Sequence, residues 1–163
     1  PQFGKVKRYV EIASREGARL VAGGKPAQVE GWPDGLFWQP TIFADVDNRM
    51  RIAQEEVFGP VLSVIRFTDD DDAVRIANDI QFGLAAGIWT QSMARALTMA
   101  DRIRAGTIWV NNYRMTSTMS PFGGFKMSGM GREGGIAGMR EYMEIKSVWI
   151  STGVVFTNPF VRR

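Results

Sequence analysis

The 163-residue sequence contains no cysteine and no histidine. The absence of cysteine excludes disulfide bonds and a thiol nucleophile within this chain, and the absence of histidine excludes imidazole acid–base catalysis. Zinc sites are mostly built from these same two residue types. The four consecutive acids Asp69–Asp72 are better explained as helix-start residues than as calcium or magnesium ligands, which must converge from several directions. We therefore expect no metal site.

Long apolar runs and strong charge clusters are missing as well. No segment approaches the roughly 20 apolar residues of a membrane span, and no signal-peptide pattern opens the chain. The net charge is +3 with scattered positive residues, and the densest basic cluster is the short stretch Lys5–Arg8. We expect no membrane and no nucleic-acid partner, and a cytoplasmic location. A hydrophobic content of 45% suits a globular chain of about one domain.

The hydrophobic pattern alternates between helical and extended spacing. Helical spacing predicts helices around residues 6–13, 70–77 and 93–103, the first ending at Gly17 and the second capped by Thr68. Residues 25–35 are turn-rich and predict a surface loop. Short apolar runs predict strands at residues 19–22, 37–43, 61–67, 84–90 and 107–110. Strands that alternate with helices over short connections predict an α/β fold with an open, parallel, Rossmann-like sheet.

The segment Gln54–Pro60 stands directly before the predicted strand at 61–67. Pro60 restricts the backbone and Gly59 permits a tight bend, so the acids and Phe58 should project from a rigid loop. A carboxylate there can accept hydrogen bonds from a sugar diol, and a ring can pack on a flat heterocycle. The structural alternative is a solvated acid pair with Phe58 in the core.

Two later segments carry further signals. Ligands of open sheets bind beyond the carboxyl ends of the strands, so the loop of residues 111–122 is a candidate substrate-contacting surface. Residues 129–134 match the spacing G-x-G-x-x-G but lack the preceding strand of a dinucleotide site, so we expect Lys126 and Arg132 to pair with nearby acids or carbonyls. Residues 141–151 alternate with a period of about two and predict a strand that pairs with another chain.

Two motifs resemble the NAD(P)-dependent aldehyde dehydrogenase superfamily: Glu56-Val57-Phe58-Gly59-Pro60, and Pro121–Gly129 followed by Gly131-Arg132-Glu133. The resemblance runs in order from about residue 2 to about residue 151, and it covers only the C-terminal portion of that family. It implies three parts: residues 1–140 from the catalytic domain, an oligomerisation strand at 141–155, and a tail at 156–163.

The resemblance also implies the chemistry. Family members oxidise an aldehyde to a carboxylic acid with reduction of NAD or NADP, through a cysteine thiohemiacetal and a glutamate that activates water. It places both catalytic residues, and most of the dinucleotide-binding domain, upstream of Pro1. The chain would then contain no catalytic residue and would be inactive alone.

Five residues of this chain match positions with roles in the family. The resemblance implies that Glu56 accepts hydrogen bonds from the nicotinamide ribose and that Phe58 lies beside the nicotinamide. It places Asn111 and Phe122 near the substrate, with Phe122 a wall of the aldehyde channel. Thr116 lies between Tyr113 and Ser120, in a loop that varies within the family. The hydroxyls of this loop and Arg114 indicate a polar substrate without identifying it, and we take Thr116 as a further substrate-binding candidate. Glu133 matches an acid linked to proton relay or cation binding, or it has a purely structural role.

The alternative to a dehydrogenase fragment is a free-standing oligomerisation or interaction module without catalysis. A flavodoxin-like nucleotide binder would need a phosphate loop, and none is present in the sequence. The sequence leaves open the identity of the aldehyde, the choice between NAD and NADP, and whether the subunits form a homodimer or a homotetramer.

Overall fold

The computed structural model describes residues 1–153 and residue 160, and this part of the chain forms five helices and nine strands. The helices are α1 (Gln2–Arg15), α2 (Arg51–Gln54), α3 (Asp70–Asn78), α4 (Met93–Arg102) and α5 (Gly135–Arg140). The strands are β1 (Arg19–Ala22), β2 (Pro26–Val29), β3 (Trp32–Trp38), β4 (Thr41–Ala44), β5 (Val61–Ser63), β6 (Phe82–Gly83), β7 (Ala85–Ile88), β8 (Thr107–Val110) and β9 (Phe125–Lys126). The predicted α/β class is confirmed.

The larger hydrophobic core lies between α1 and a three-stranded sheet. β4 is the central strand, antiparallel to β1 and parallel to β5. The apolar side chains of α1 recur at helical spacing, so they share one face and pack against β4, whose Phe43 is fully buried. The helix ends as predicted: Gly17 takes φ +97°, and the Ala18 N–H donates to the Ala13 carbonyl.

A second, smaller core lies between α3, α4 and the parallel pair β7–β8. Its buried residues are Val74, Ile88 and Met99. The start of α3 differs from the prediction, because Asp69 rather than Thr68 is the N-cap: the Asp69 carboxylate accepts the Asp72 N–H at 2.8 Å. Thr68 instead donates its backbone N–H to the Asp72 side chain. The arrangement differs from a capping box in that Asp72 accepts from the residue before the N-cap rather than from the N-cap itself.

Three of the predicted strands have different limits in the structure. The run at 61–67 supplies only the short strand β5. The length and β-branched content of this run predict a strand buried in a sheet, and that prediction of burial is wrong, because Leu62 within β5 is 57% exposed. The stretch 37–43 is split at Pro40 into the end of β3 and the start of β4, since proline has no N–H for the ladder. The run at 84–90 supplies β7 over four residues.

The sheets are mixed rather than one parallel sheet. β5 and β7 belong to different sheets, although α3 connects them in sequence. An apolar run indicates that a strand is covered but does not say which strand lies next to it. Residues 25–35 are on the surface as predicted, but they form part of the hairpin β2–β3, with Gly31 at φ +79° in its turn, rather than a loop.

The predicted terminal strand has no partner within the described chain. Residues 141–153 contain no assigned strand, and the side chains of Tyr142, Ile145 and Trp149 are almost completely exposed. A strand is defined by hydrogen bonds to a neighbouring strand, so the prediction that this segment pairs with another subunit stays a prediction. The last part of that segment and most of the predicted tail lie outside the described residues.

Candidate functional site

The loop at Phe58 is pinned against the N-terminal helix. The Gln2 side-chain amide donates to the Val57 carbonyl at 3.0 Å and to the Phe58 carbonyl at 2.6 Å. A Cβ on Gly59 would run into the side chain of Val6, so the loop passes close to α1. Gly59 therefore permits an approach that a larger residue would prevent.

Phe58 is held in an unfavourable backbone conformation and shows its ring to solvent. Its φ is +53°, a region that non-glycine residues rarely adopt, and its side chain is 75% exposed. Burial in the core, the structural alternative for Phe58, is therefore wrong. A strained backbone that presents an exposed aromatic ring is typical of a binding position.

The two neighbouring acids Glu55 and Glu56 have different roles. Glu55 accepts a hydrogen bond from the Tyr9 hydroxyl at 2.5 Å and two from the Arg51 guanidinium at 2.8 and 2.9 Å. The Arg51 hydrogen bonds, followed by the Tyr9 hydrogen bond, lower the pKa of Glu55 to about 2. The hydrogen bond to Glu55 in turn raises the pKa of Tyr9.

Glu56 is exposed, and its carboxylate forms no hydrogen bond or ion pair within the described part of the chain. The alternative prediction of two solvated acids is therefore right for Glu56 only, because Glu55 is bonded to Tyr9 and Arg51. A free carboxylate two residues before an exposed ring offers acceptors for a diol and an apolar face for a heterocycle. The residues present at this loop thus fit the ribose and ring of a nicotinamide nucleotide.

Thr116 and Phe122 lie on the wall of one cavity of about 310 Å³ beside β8. The loop that carries them is fixed at Met115. The indole N–H of Trp109 donates to the Met115 carbonyl at 2.8 Å, and the Asn112 amide donates to the Met115 sulfur at 2.6 Å. The Trp109 ring also meets the Tyr113 ring edge-on, with 5.7 Å between their centroids. The structure thus brings Thr116 and Phe122 together.

Asn111 is engaged in a different contact. It follows β8 with φ +50°, its Oδ1 accepts the Thr90 N–H at 2.9 Å, and its Nδ2 donates to the Thr90 carbonyl at 2.8 Å. It lines a separate cavity with Thr90 at the carboxyl ends of β7 and β8. The amide of Asn111 therefore joins the two strand ends, and its proximity to substrate stays a prediction.

Glu133 pairs with Phe122 through the backbone. Each residue donates its N–H to the carbonyl of the other at 2.7 Å, while the Glu133 side chain is exposed. The predicted pairing of the neighbouring cations with carbonyls is confirmed. Lys126 donates to the carbonyls of Asn78 and Ile80. Arg132 donates to three carbonyls: those of Gly124, Met130 and Gly131.

The predicted site residues thus fall in two regions of the fold. Glu56 and Phe58 precede β5 in the first sheet, whereas Thr116 and Phe122 follow β8 in another sheet. No sequence pattern marks the contributions of Gln2 and Trp109, because both donate to backbone carbonyls that only the folded chain brings near them. The described residues contain no group of acids suited to a metal ion. Over the same residues, no helix has the length and apolar character needed to cross a membrane.

Comparison with known proteins gives a consistent result. Residues 1–148 match the aldehyde dehydrogenase family. The betaine aldehyde dehydrogenase of Brucella melitensis biotype 2 is 47% identical over 154 residues, which are 94% of this chain and 32% of that protein. The chain therefore spans about a third of the length of the curated relatives it matches.

Solved structures of whole enzymes resemble this fold closely. An indole-3-acetaldehyde dehydrogenase of P. syringae in complex with NAD+ and IAA is 48% identical, with a TM-score of 0.86 over 91% of this chain and 30% of that one. A betaine aldehyde dehydrogenase point mutant from Staphylococcus aureus in complex with NAD+ is 37% identical, with a TM-score of 0.92 over 99% of this chain and 33% of that one.

Proposed function

This chain belongs to the aldehyde dehydrogenase family, and we propose that it acts as the C-terminal part of an enzyme that oxidises an aldehyde to a carboxylic acid with reduction of NAD or NADP. The remaining two thirds of such an enzyme would supply the cysteine that forms the thiohemiacetal, the glutamate that activates water, and most of the dinucleotide-binding domain. The present chain would be inactive alone, since it contains no cysteine.

The observation that carries the proposal is the contrast between Glu56 and its neighbours. Glu55 is bonded to Tyr9 and Arg51, whereas the Glu56 carboxylate has no partner among the described residues and lies near an exposed ring. In the proposed enzyme, Glu56 accepts hydrogen bonds from the nicotinamide ribose, and Phe58 packs beside the nicotinamide. The cofactor accepts a hydride from the substrate. The chain's own contribution is to hold that ring in place and to exclude water from one side of it.

On the substrate side, we propose that the cavity beside β8 forms one wall of the aldehyde channel. Phe122 supplies an apolar surface and Thr116 a hydroxyl, and both already line the same cavity. The backbone pairing of Phe122 with Glu133 fixes the orientation of this wall. We assign Glu133 the positioning of Phe122, with proton relay or cation binding as the second candidate role of its free carboxylate.

The test compares two adjacent variants in the longer protein that carries this chain. Aldehyde-dependent reduction of NAD+ and NADP+ is measured by absorbance for the wild type, Glu56→Gln and Glu55→Gln. We expect Glu56→Gln to raise the KM for the cofactor about tenfold, which corresponds to one charge-assisted hydrogen bond, with an unchanged melting temperature. Glu55→Gln should lower the melting temperature instead. A cofactor KM that is the same in Glu56→Gln as in the wild type would contradict the assignment of Glu56.

The second candidate function is an oligomerisation or interaction module. It is favoured by the apolar side chains of residues 142–150, most of which are exposed in the single chain. The intact mass of the protein as its native source produces it separates the two candidates. A native product well above 18.2 kDa that includes a cysteine supports the dehydrogenase. A native product whose N-terminal residue is Pro1 supports the module. In the dehydrogenase, we propose that the same segment joins the subunits of a homodimer or homotetramer.

A further inference from the structure

The loop of residues 111–122 carries a single charged side chain, Arg114, and no acid. Arg114 is exposed and has φ +61°, the left-handed region that favours glycine. An arginine held there costs the fold about 1 kcal/mol or more relative to glycine. Within the described part of the chain, its guanidinium forms no hydrogen bond and no ion pair. Arg114 is not part of the cavity lining beside β8, but it directly precedes Met115 and Thr116, which are. Fold stability does not explain a strained cation at this position.

Met115, which follows Arg114, is anchored by two hydrogen bonds. Met115 is held through its carbonyl by Trp109 and through its sulfur by Asn112. These contacts fix the backbone on the C-terminal side of Arg114 and on the N-terminal side of Thr116. The side chains of Arg114 and Thr116 thus flank an anchored residue, and such anchoring reduces the entropy lost on binding.

The cavity that this loop encloses with β8 is small and partly polar. Its volume is about 310 Å³, at the lower end of the range for small-molecule sites. Hydroxyl groups from Thr116, Ser117 and Ser120 line it together with the apolar surfaces of Trp109 and Phe122. The lining is apolar over most of its area, and its three hydroxyl groups can contact a polar group on an aldehyde.

We propose that the aldehyde carries a carboxylate at the end remote from the reacting carbonyl, and that Arg114 is the residue that recognises it. This inference rests on the proposed function. A guanidinium presents parallel N–H donors that match the two oxygens of a carboxylate, and the Thr116 hydroxyl adds a further donor from the same segment. A quaternary ammonium aldehyde, as in the names of several relatives, would meet a like charge at Arg114 and no counter-charge on this loop.

The experiment uses the longer protein and a matched set of aldehydes. Steady-state kinetics are measured with a four-carbon aldehyde that ends in a carboxylate, the uncharged straight-chain aldehyde of the same length, a phosphate-bearing aldehyde and betaine aldehyde. We expect the wild type to show its highest kcat/KM with the carboxylate compound. Arg114→Met should lower that kcat/KM about 10- to 100-fold, the loss expected for a charge-assisted bidentate contact, and leave the uncharged aldehyde within about threefold.

Two further variants make the result specific. Arg114→Lys keeps the charge but not the planar donors, so it should recover part of the lost kcat/KM. Arg104→Met removes an exposed arginine from outside this loop and should leave the carboxylate preference as in the wild type. Inhibition by the four-carbon dicarboxylate should weaken in Arg114→Met by a similar factor, which reports binding without turnover.

Several outcomes would overturn the assignment. They are equal losses for charged and uncharged aldehydes in Arg114→Met, a wild-type preference for betaine aldehyde, or a preference for the phosphate compound. Failure of the proposed function gives a different result: the wild type would reduce neither NAD+ nor NADP+ with any of the four aldehydes. If the uncharged aldehyde is oxidised and the carboxylate compound is not, only the inference about Arg114 fails.

Discussion

Gln2 and Phe58 are 56 residues apart in sequence, yet the Gln2 side-chain amide donates a hydrogen bond to the Phe58 carbonyl at 2.6 Å. Gln2 also donates to the Val57 carbonyl. The two hydrogen bonds hold the Phe58 backbone in its left-handed conformation, from which the exposed ring projects. The first turn of α1 thereby sets the position of the proposed nicotinamide contact.

The first prediction concerns this contact. Replacement of Gln2 by alanine removes both hydrogen bonds and allows Phe58 to relax to a backbone conformation of lower energy. In the longer protein, we expect Gln2→Ala to raise the KM for the nicotinamide cofactor about 5- to 10-fold and to leave the KM for the aldehyde unchanged. Initial-rate kinetics with each substrate varied in turn measure the two constants.

Gln28→Ala is the control, because Gln28 is exposed on the hairpin β2–β3, which is a separate sheet from that of β5, the strand after Phe58. It should leave both constants unchanged. If Gln2→Ala raised the KM for the aldehyde and not that for the cofactor, the proposed role of the Phe58 loop would be wrong.

The second prediction is a pH dependence that arises from Glu55. Hydrogen bonds from Arg51 and Tyr9 lower its pKa from an ordinary value of 4.5 to about 2 in the folded chain. The folded state therefore binds this proton less readily than the unfolded state does. The stabilisation by Glu55 is present above pH 4.5 and is lost as the pH falls towards 2. Urea midpoints at a series of pH values measure the loss.

Several aspartates of this chain also have arginine partners, so the comparison must isolate Glu55. Glu55→Gln should lower the free energy of unfolding by about 1 kcal/mol at neutral pH. The difference between wild type and variant should shrink between pH 4.5 and 2. A difference that stays constant over this range would show that Glu55 is not paired as described.

The third prediction compares the contributions of two neighbouring asparagines, Asn111 and Asn112, to the stability of the fold. Asn111→Asp keeps the acceptor for the Thr90 N–H but places an oxygen against the Thr90 carbonyl in place of a donor. We expect a loss of about 1 kcal/mol in the free energy of unfolding, measured by urea denaturation. Asn112→Asp loses only a hydrogen bond to a thioether, which is a weak acceptor, and should cost less. If Asn112→Asp proved the more harmful, the link between β7 and β8 would not depend on Asn111.

The fourth prediction concerns two glycines. A Cβ on Gly106, between α4 and β8, would overlap the carbonyl oxygen of Gly123, so Gly106→Ala should destabilise the fold by about 1–3 kcal/mol. Gly4 lies in α1 with open space around it, so Gly4→Ala should stabilise the fold by about 0.5–1 kcal/mol. Thermal melts of both variants measure the effects. A stable Gly106→Ala variant would contradict the close contact with the segment at Gly123.

Local signals in the sequence were sufficient for most elements. Helical spacing predicted α1, α3 and α4, and the short run 107–110 predicted β8 with its observed limits. The hairpin β2–β3 was missed because its strands are mostly exposed and β3 contains turn residues, so no alternation of apolar and polar residues marks it. The N-cap of α3 was displaced by one residue because Thr68 and Asp69 are both good caps.

The sequence by itself determined the α/β class and the family, because both depend on residue order, spacing and motif composition. It also determined that this chain has no thiol or imidazole for catalysis. Glu55 stands four residues after Arg51, a spacing that allows a local ion pair, whereas Glu56 does not. Only the tertiary structure decided that Tyr9, far along the chain, also donates to Glu55. It likewise decided that Gln2 supports Phe58 and that Trp109 supports Met115. Such contacts join side chains to backbone carbonyls far along the chain or across a turn, and no local pattern encodes them.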